Sequence, residues 1–113
     1  MDKPLEGIRV IAIEQFGAGP YGSMYLAELG ADVIKVENRA TGGDPSRQSG
    51  AVTLADDDSA YFQAFNLSKR SVTVNLKSTE GRAIFEDLVR TADVVWNNLR
   101  GSQPAKLGLD YET

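Results

Sequence analysis

The sequence predicts an α/β fold: a Rossmann-like, mostly parallel sheet with flanking helices. Three observations predict it. Short apolar runs rich in β-branched residues recur at residues 8–13, 32–37 and 92–96, the pattern of strands buried on both faces. Segments of helical spacing alternate with them, at residues 21–29 and after Ser78. The first strand, helix and second strand fit in about thirty residues, the size of a βαβ unit.

The elements follow in order. Residues 8–13 read Ile-Arg-Val-Ile-Ala-Ile. A break comes at Gly17-Ala18-Gly19-Pro20, and Pro20 suits the first turn of a helix, where its missing N–H costs nothing. Met24, Leu26, Ala27 and Leu29 are available for burial on that helix, and Gly30 is placed to end it in a left-handed cap. Residues 32–37 form the second strand, with Asp32 read as a cap of the Gly30 turn.

Residues 38–58 read as a long exposed loop, with Gly42, Gly43, Gly50 and Pro45 as breakers. A loop of this length is uncommon in a compact domain and is often functional. Its acidic run, Asp56-Asp57-Asp58, reads as a solvated face, since no further ligand spacing supports a metal site. Residues 59–66 are short and aromatic, with Tyr61, Phe62 and Phe65. Residues 71–76 alternate at period two as a strand. Ser78 is a good N-cap for a helix carrying Gly81, Ile84, Phe85, Leu88 and Val89 at helical spacing. Glu86 and Arg90 are placed for an i,i+4 pair. Residues 92–96 read as another buried strand, 97–102 as a turn and 103–107 as a short helical turn.

Composition narrows the chemistry. The 113 residues amount to one domain or part of a larger one. With 16 acidic and 12 basic residues the net charge is −4, which does not argue for nucleic acid or an anionic membrane as partner. The chain has no Cys and no His. This excludes a thiolate nucleophile, a Ser-His-Asp triad, disulfides and Cys- or His-built zinc sites. No apolar run approaches a membrane span, and a cytoplasmic location is the expectation.

Gly17, Gly19 and Gly22 match G-x-G-x-x-G between a predicted strand and helix, and Glu37 closes the next strand. Together these approach the dinucleotide fingerprint, with the glycines against a pyrophosphate and the acid on a ribose. Glu14, Gln15 and Phe16, however, intervene between the strand and the first glycine, displacing the helix N-terminus from the sheet edge. The competing reading is that Gly19 and Gly22 permit close helix packing. A flavin- or nicotinamide-binding module stays open on these residues alone. Trp96, ending an apolar strand, reads as core before it reads as a stacking platform.

A wider pattern is more specific. Pro4-Leu5-Glu6-Gly7-Ile8-Arg9-Val10, Ala18-Gly19-Pro20 and Leu29-Gly30-Ala31-Asp32-Val33-Ile34-Lys35-Val36-Glu37 come first. Gly42-Gly43-Asp44, Asn66-Leu67-Ser68-Lys69-Arg70-Ser71, Asn75-Leu76-Lys77, Glu80-Gly81-Arg82, Ala92-Asp93-Val94-Val95 and Leu107-Gly108-Leu109 follow. In order and spacing these blocks resemble the opening of family III CoA-transferases (the CaiB/BaiF type) from Pro4 to Glu112.

The resemblance implies that residues 1–113 are the amino-terminal part of a domain several times longer, and that the chain alone is inactive. It implies transfer of coenzyme A from an acyl-CoA to a carboxylic acid through an aspartyl mixed anhydride. The Asp lies beyond Thr113, so no catalytic residue is assigned here. An acyl-CoA racemase of the same superfamily is the alternative; racemases usually carry Gly where Asn98 stands. CoA or acyl-CoA is the implied substrate, with no metal, flavin or NAD, and the implied full-length assembly is an interlocked homodimer.

The resemblance also implies a CoA site. Gln15, Phe16, Gly17 and Ala18 form the turn that approaches CoA. Asn38 stands where the family often has Arg, leaving Arg39 as substitute phosphate partner or as a plain surface charge. Val74 and Lys77 match a segment near adenine and phosphates. Asn98, Leu99 and Arg100 match a turn in which the family has Asn-Phe-Arg, and Asn98 is read either as a ligand contact or as a turn residue satisfying its own backbone. Lys106 stands where the family commonly has Arg.

Overall fold

A computed structural model describes residues 2–110. Four strands, β1 (Arg9–Ile13), β2 (Asp32–Glu37), β5 (Arg70–Thr73) and β6 (Val94–Asn97), form one sheet in the order β5-β2-β1-β6. All three pairings are parallel. In chain order the sheet strands therefore lie third, second, first, fourth. This is the arrangement of doubly wound sheets, in which the direction of winding reverses beside the first strand.

Alternation along β1 and β2 sorts side chains to two faces. Val10, Ala12 and Val33 pack with Ala27 and Ala31 on the side of α1 (Ala18–Glu28). Ile11, Ile13, Ile34 and Val36 pack with Val74 and Phe85 on the side of α3 (Thr79–Arg90). Leu29 and Ile84, placed on the buried sides by their spacing, are instead 44% and 52% exposed.

The caps account for the helix ends. Beyond α1, Gly30 takes φ +108. Its N–H bonds Ala27 O, and Ala31 N–H bonds Leu26 O, the paired contacts of a Schellman ending. Ser78 Oγ accepts from Gly81 N–H at 2.9 Å and starts α3. A Cβ on Gly81 would lie 1.9 Å from Asn75 O, so the tight entry to α3 requires glycine there.

Several expectations are corrected. The segment 38–58 is a folded, partly buried structure. It holds two 3₁₀ turns (Arg39–Thr41, Pro45–Gln48) and a hairpin of β3 (Thr53–Ala55) with β4 (Asp58–Ser59), leading into α2 (Ala60–Phe65). Asp44 and Ser46 in it are buried. The Asp44 carboxylate tolerates this because it meets the Lys35 ammonium and the Ser46 N–H rather than water. The strand read over 71–76 ends at Thr73, since Asn75 turns the chain by accepting Lys77 N–H on its side chain. Glu86 pairs with Arg82 (3.2 Å) and Arg90 with Asp87 (2.6 Å), so the expected Glu86–Arg90 pair does not form. Asp32 takes ion pairs from Arg9 (2.9 Å) and Arg70 (2.7 Å) rather than capping a turn. β6 lies at the edge of the sheet, and Val94 and Val95 are exposed instead of buried.

Parallel pairing gathers the carboxyl ends of all four strands at one edge. The segments beginning at Glu14, Asn38, Val74 and Asn98 all leave the sheet there. In open α/β sheets the crevice at this edge, where winding reverses, is the usual ligand position. α4 (Gln103–Lys106) follows the last of these segments.

Candidate functional site

The turn after β1 is gripped from two sides. Asn98 Oδ1 accepts from Gln15 N–H (3.1 Å), and its Nδ2 donates to Gln15 O (2.9 Å). Asn98 thus satisfies the backbone of the turn after β1 rather than its own. Phe16 follows at φ 64, a left-handed conformation that costs a non-glycine residue about 1–2 kcal/mol. Its N–H donates to Asp44 Oδ1 at 3.1 Å.

Gly19 and Gly22 of the G-x-G-x-x-G pattern serve packing. A Cβ on Gly19 would lie 2.7 Å from Asn98 Cγ, and one on Gly22 2.6 Å from the Trp96 ring. Trp96 Nε1 donates to Gly19 O at 3.1 Å. Trp96 is half-buried against the α1 face as a packing residue. Glu37, the acid of the fingerprint, is not free for a ribose. Its Oε1 accepts from Asp44 N–H (2.7 Å) and Arg47 Nε (2.8 Å). Its Oε2 accepts from Arg47 Nη2 (2.7 Å) and from Ser71 Oγ. Burial would raise this carboxyl, but the bonds from Arg47, Ser71 and Asp44 N–H and the Arg47 charge outweigh it and hold the pKa at about 2.

Beside Glu37 lies a buried set of charges that the residue pattern alone did not single out. Glu14 meets Lys69 Nζ at 3.1 Å and accepts from Ser23 Oγ. Lys69 also donates to Pro20 O, Phe65 O and Asn66 Oδ1. Burial pushes the Lys69 ammonium down to about 8, against the upward pull of Glu14; neighbouring Lys35 adds to the lowering. Lys35 Nζ lies 2.8 Å from Asp44 Oδ2. That contact is one of charge, not an aligned hydrogen bond, and Lys35 Nζ, Asp44 Oδ2 and Ser46 Oγ have no hydrogen-bond partner among the described residues. The visible signal was Lys35 itself, a lysine between Ile34 and Val36 in a strand too apolar to expose it.

At the same edge a cleft of about 110 Å³ opens between β1, β2 and the segment after β5, with Glu14, Glu37 and Asp44 of the buried set also bordering it. Ile13, Val36, Val74, Leu76, Leu99 and Leu107 give it apolar walls. Of the expected site residues it gathers Gln15, Asn38, Val74, Lys77 and Leu99. A second recess of about 550 Å³ gathers Gln15, Phe16, Gly17, Ala18, Asn98, Leu99 and Arg100. Gln15 and Leu99 border both. Arg39 and Lys106 line neither; both are exposed nearby in the chain, in the first 3₁₀ turn and at the end of α4. Asn38 caps that turn by accepting Ala40 N–H at 2.9 Å.

Charge is distributed unevenly. Arg39, Lys77, Arg100 and Lys106 carry no ion pair or side-chain hydrogen bond among the described residues, whereas Lys35, Arg47 and Lys69 are all engaged. The acidic run makes the β3–β4 turn, with Asp57 bonded to Gln48 and Asp58 to Gln63. Among the described residues, no group of three or more His, Cys, Asp or Glu is arranged to hold a metal ion, and no helix is long and apolar enough to cross a membrane.

The carboxyl edge of the parallel sheet thus carries an apolar cleft with Lys77 at its border and, beside it, a recess formed by the turn before α1 together with Asn98 and Arg100. The chain belongs to CoA-transferase family III, whose defining sequence pattern matches residues 5–113. It is 50% identical over 115 residues to a succinate–glutarate CoA-transferase of Agrobacterium fabrum, an alignment covering 97% of this chain and 28% of that protein. It is 39% identical to a formyl-CoA:oxalate CoA-transferase of Streptomyces avermitilis, over 99% of this chain and 27% of that one. The crystal structure of a CaiB/BaiF family protein from Brucella suis superposes with a TM-score of 0.86 at 40% identity, covering 99% of this chain and 30% of its own. The chain thus spans less than a third of the length of these relatives.

Proposed function

We propose that this chain is the CoA-binding amino-terminal portion of a longer acyl-CoA:carboxylate CoA-transferase. The observation that carries the reading is the convergence at one sheet edge of the turn 15–18, Val74, Lys77 and 98–100, with Lys77 and Arg100 unpaired among the described residues. Backbone N–H groups at the start of α1 and the charges of Lys77 and Arg100 suit the phosphates. The apolar walls suit the adenine or the pantetheine arm. Arg39 in the first 3₁₀ turn and Lys106 at the end of α4 would be outer phosphate partners on this reading.

The chemistry proposed for the full-length enzyme uses an Asp carboxylate outside these residues. It attacks the thioester carbonyl, the C–S bond breaks, and CoA leaves as thiolate with an aspartyl mixed anhydride left behind. The acceptor carboxylate attacks the aspartyl carbonyl of that anhydride and expels the donor carboxylate; the thiolate then attacks the acceptor's acyl carbon, forming the new thioester and releasing the Asp carboxylate. A carboxylate nucleophile divides one hard exchange into easier ones. The role of residues 1–113 is to hold CoA while this occurs. The acids present do not fit the nucleophile: Glu14, Glu37 and Asp44 are each bound to a cation. The test is exchange of labelled carboxylic acid into acyl-CoA by the full-length enzyme and by residues 1–113. Turnover by the full-length enzyme alone is expected. Turnover by the short chain at a comparable rate contradicts the placement of the nucleophile.

A further inference from the structure

Phe16 stands in the left-handed region without being glycine, in the turn that lines the outer recess. A residue there relaxes unless its surroundings hold it. Asn98 secures the neighbouring Gln15. The bond to Phe16 itself comes from Asp44, which is 2% exposed. The same Oδ1 accepts from Ser46 N–H at 2.9 Å, and Oδ2 lies 2.8 Å from the Lys35 ammonium. The Asp44 N–H is anchored on Glu37 Oε1 at 2.7 Å. Two residues of β2 therefore fix Asp44 before it reaches the turn, Lys35 at the carboxylate and Glu37 at the backbone N–H.

We propose that Asp44, braced by Lys35, is a positioning residue for coenzyme binding: it holds Phe16 in its left-handed conformation and so sets the shape of the turn that meets CoA. The proposal rests on the CoA-binding reading above. It separates two roles Asp44 has in the structure. One is closing its own 3₁₀ turn through Ser46; the other is reaching across to Phe16.

The substitution Phe16→Gly distinguishes them, because glycine takes positive φ without a side-chain penalty. The experiment is calorimetric titration of CoA into the full-length enzyme as wild type, Asp44→Ala, Phe16→Gly and the double variant, with circular dichroism to confirm folding. Asp44→Ala is expected to weaken CoA binding about tenfold with Phe16 present, and by less than about twofold in the Phe16→Gly background. If Asp44→Ala does not fold because the Lys35 ammonium is left buried alone, the same cycle is run on Lys35→Met/Asp44→Ala. Equal losses with and without the Phe16→Gly change, or no loss in a folded Asp44 variant, would overturn the proposal while wild-type binding leaves the CoA reading intact. A wild-type enzyme with no affinity for CoA overturns both.

Discussion

On the α1 side of the sheet edge, Glu14, Lys35, Glu37, Asp44 and Lys69 are buried and matched to one another or to Arg47. At the rim of the same edge, Lys77 borders the cleft and Arg100 the outer recess; both are exposed and matched to nothing among the described residues. Both sets flank the same turn. The interior charges are paired within the protein; on the proposed reading the rim charges serve a ligand. Removing an interior charge should therefore cost stability, and removing a rim charge should cost binding.

The largest effect is expected at Lys69. Replacing it with Met leaves Glu14 buried without its cation, and breaking such a pair costs about 3–5 kcal/mol. Denaturant unfolding of the full-length enzyme measures it. A loss below about 1 kcal/mol would place Lys69 with the rim charges instead.

Next is acid. The Glu37 carboxyl is held at about 2 against its ordinary 4.5. A depressed carboxylate contributes stability above pH 4.5 and loses it as pH falls toward 2, here about 3 kcal/mol. Glu37→Gln should flatten that part of the stability–pH curve. An unchanged slope between pH 4.5 and 2 would mean that Glu37 is not held by Arg47 and Ser71 as described.

The smallest effect on stability is expected at the rim. Lys77→Ala should leave unfolding free energy within about 0.5 kcal/mol of wild type. CoA affinity should nevertheless fall roughly ten- to a hundredfold, the worth of a hydrogen bond to a charged group. Loss of stability without loss of CoA binding would reverse the contrast between the two regions.

The same contrast explains what the sequence made legible. Short apolar β-branched runs and helical spacing exposed the sheet and both long helices, because those signals are local: Ile11 and Val33 are buried where the pattern put them. The turn residues 15–18 and 98–100 came through family resemblance and meet in one recess. Segment 38–58 was misread because its burial depends on distant partners. Asp44 is polar and sits among glycines and Pro45, so nothing local shows that Lys35 and Phe16 await it. Glu37 looked like a ribose ligand for the same reason: its spacing from Gly17 was visible and its capture by Arg47 was not. Trp96 shows the reverse case, where an apolar strand end predicted packing and Gly22 made room for it.

The most direct measurement is calorimetric titration of the full-length enzyme with CoA, NAD and FAD in parallel. Lys77 and Arg100, unpaired among the described residues, and the committed Glu37 predict saturable CoA binding that weakens as salt rises, with no heat from either dinucleotide. Stoichiometric flavin or nicotinamide binding, with CoA silent, would contradict the account.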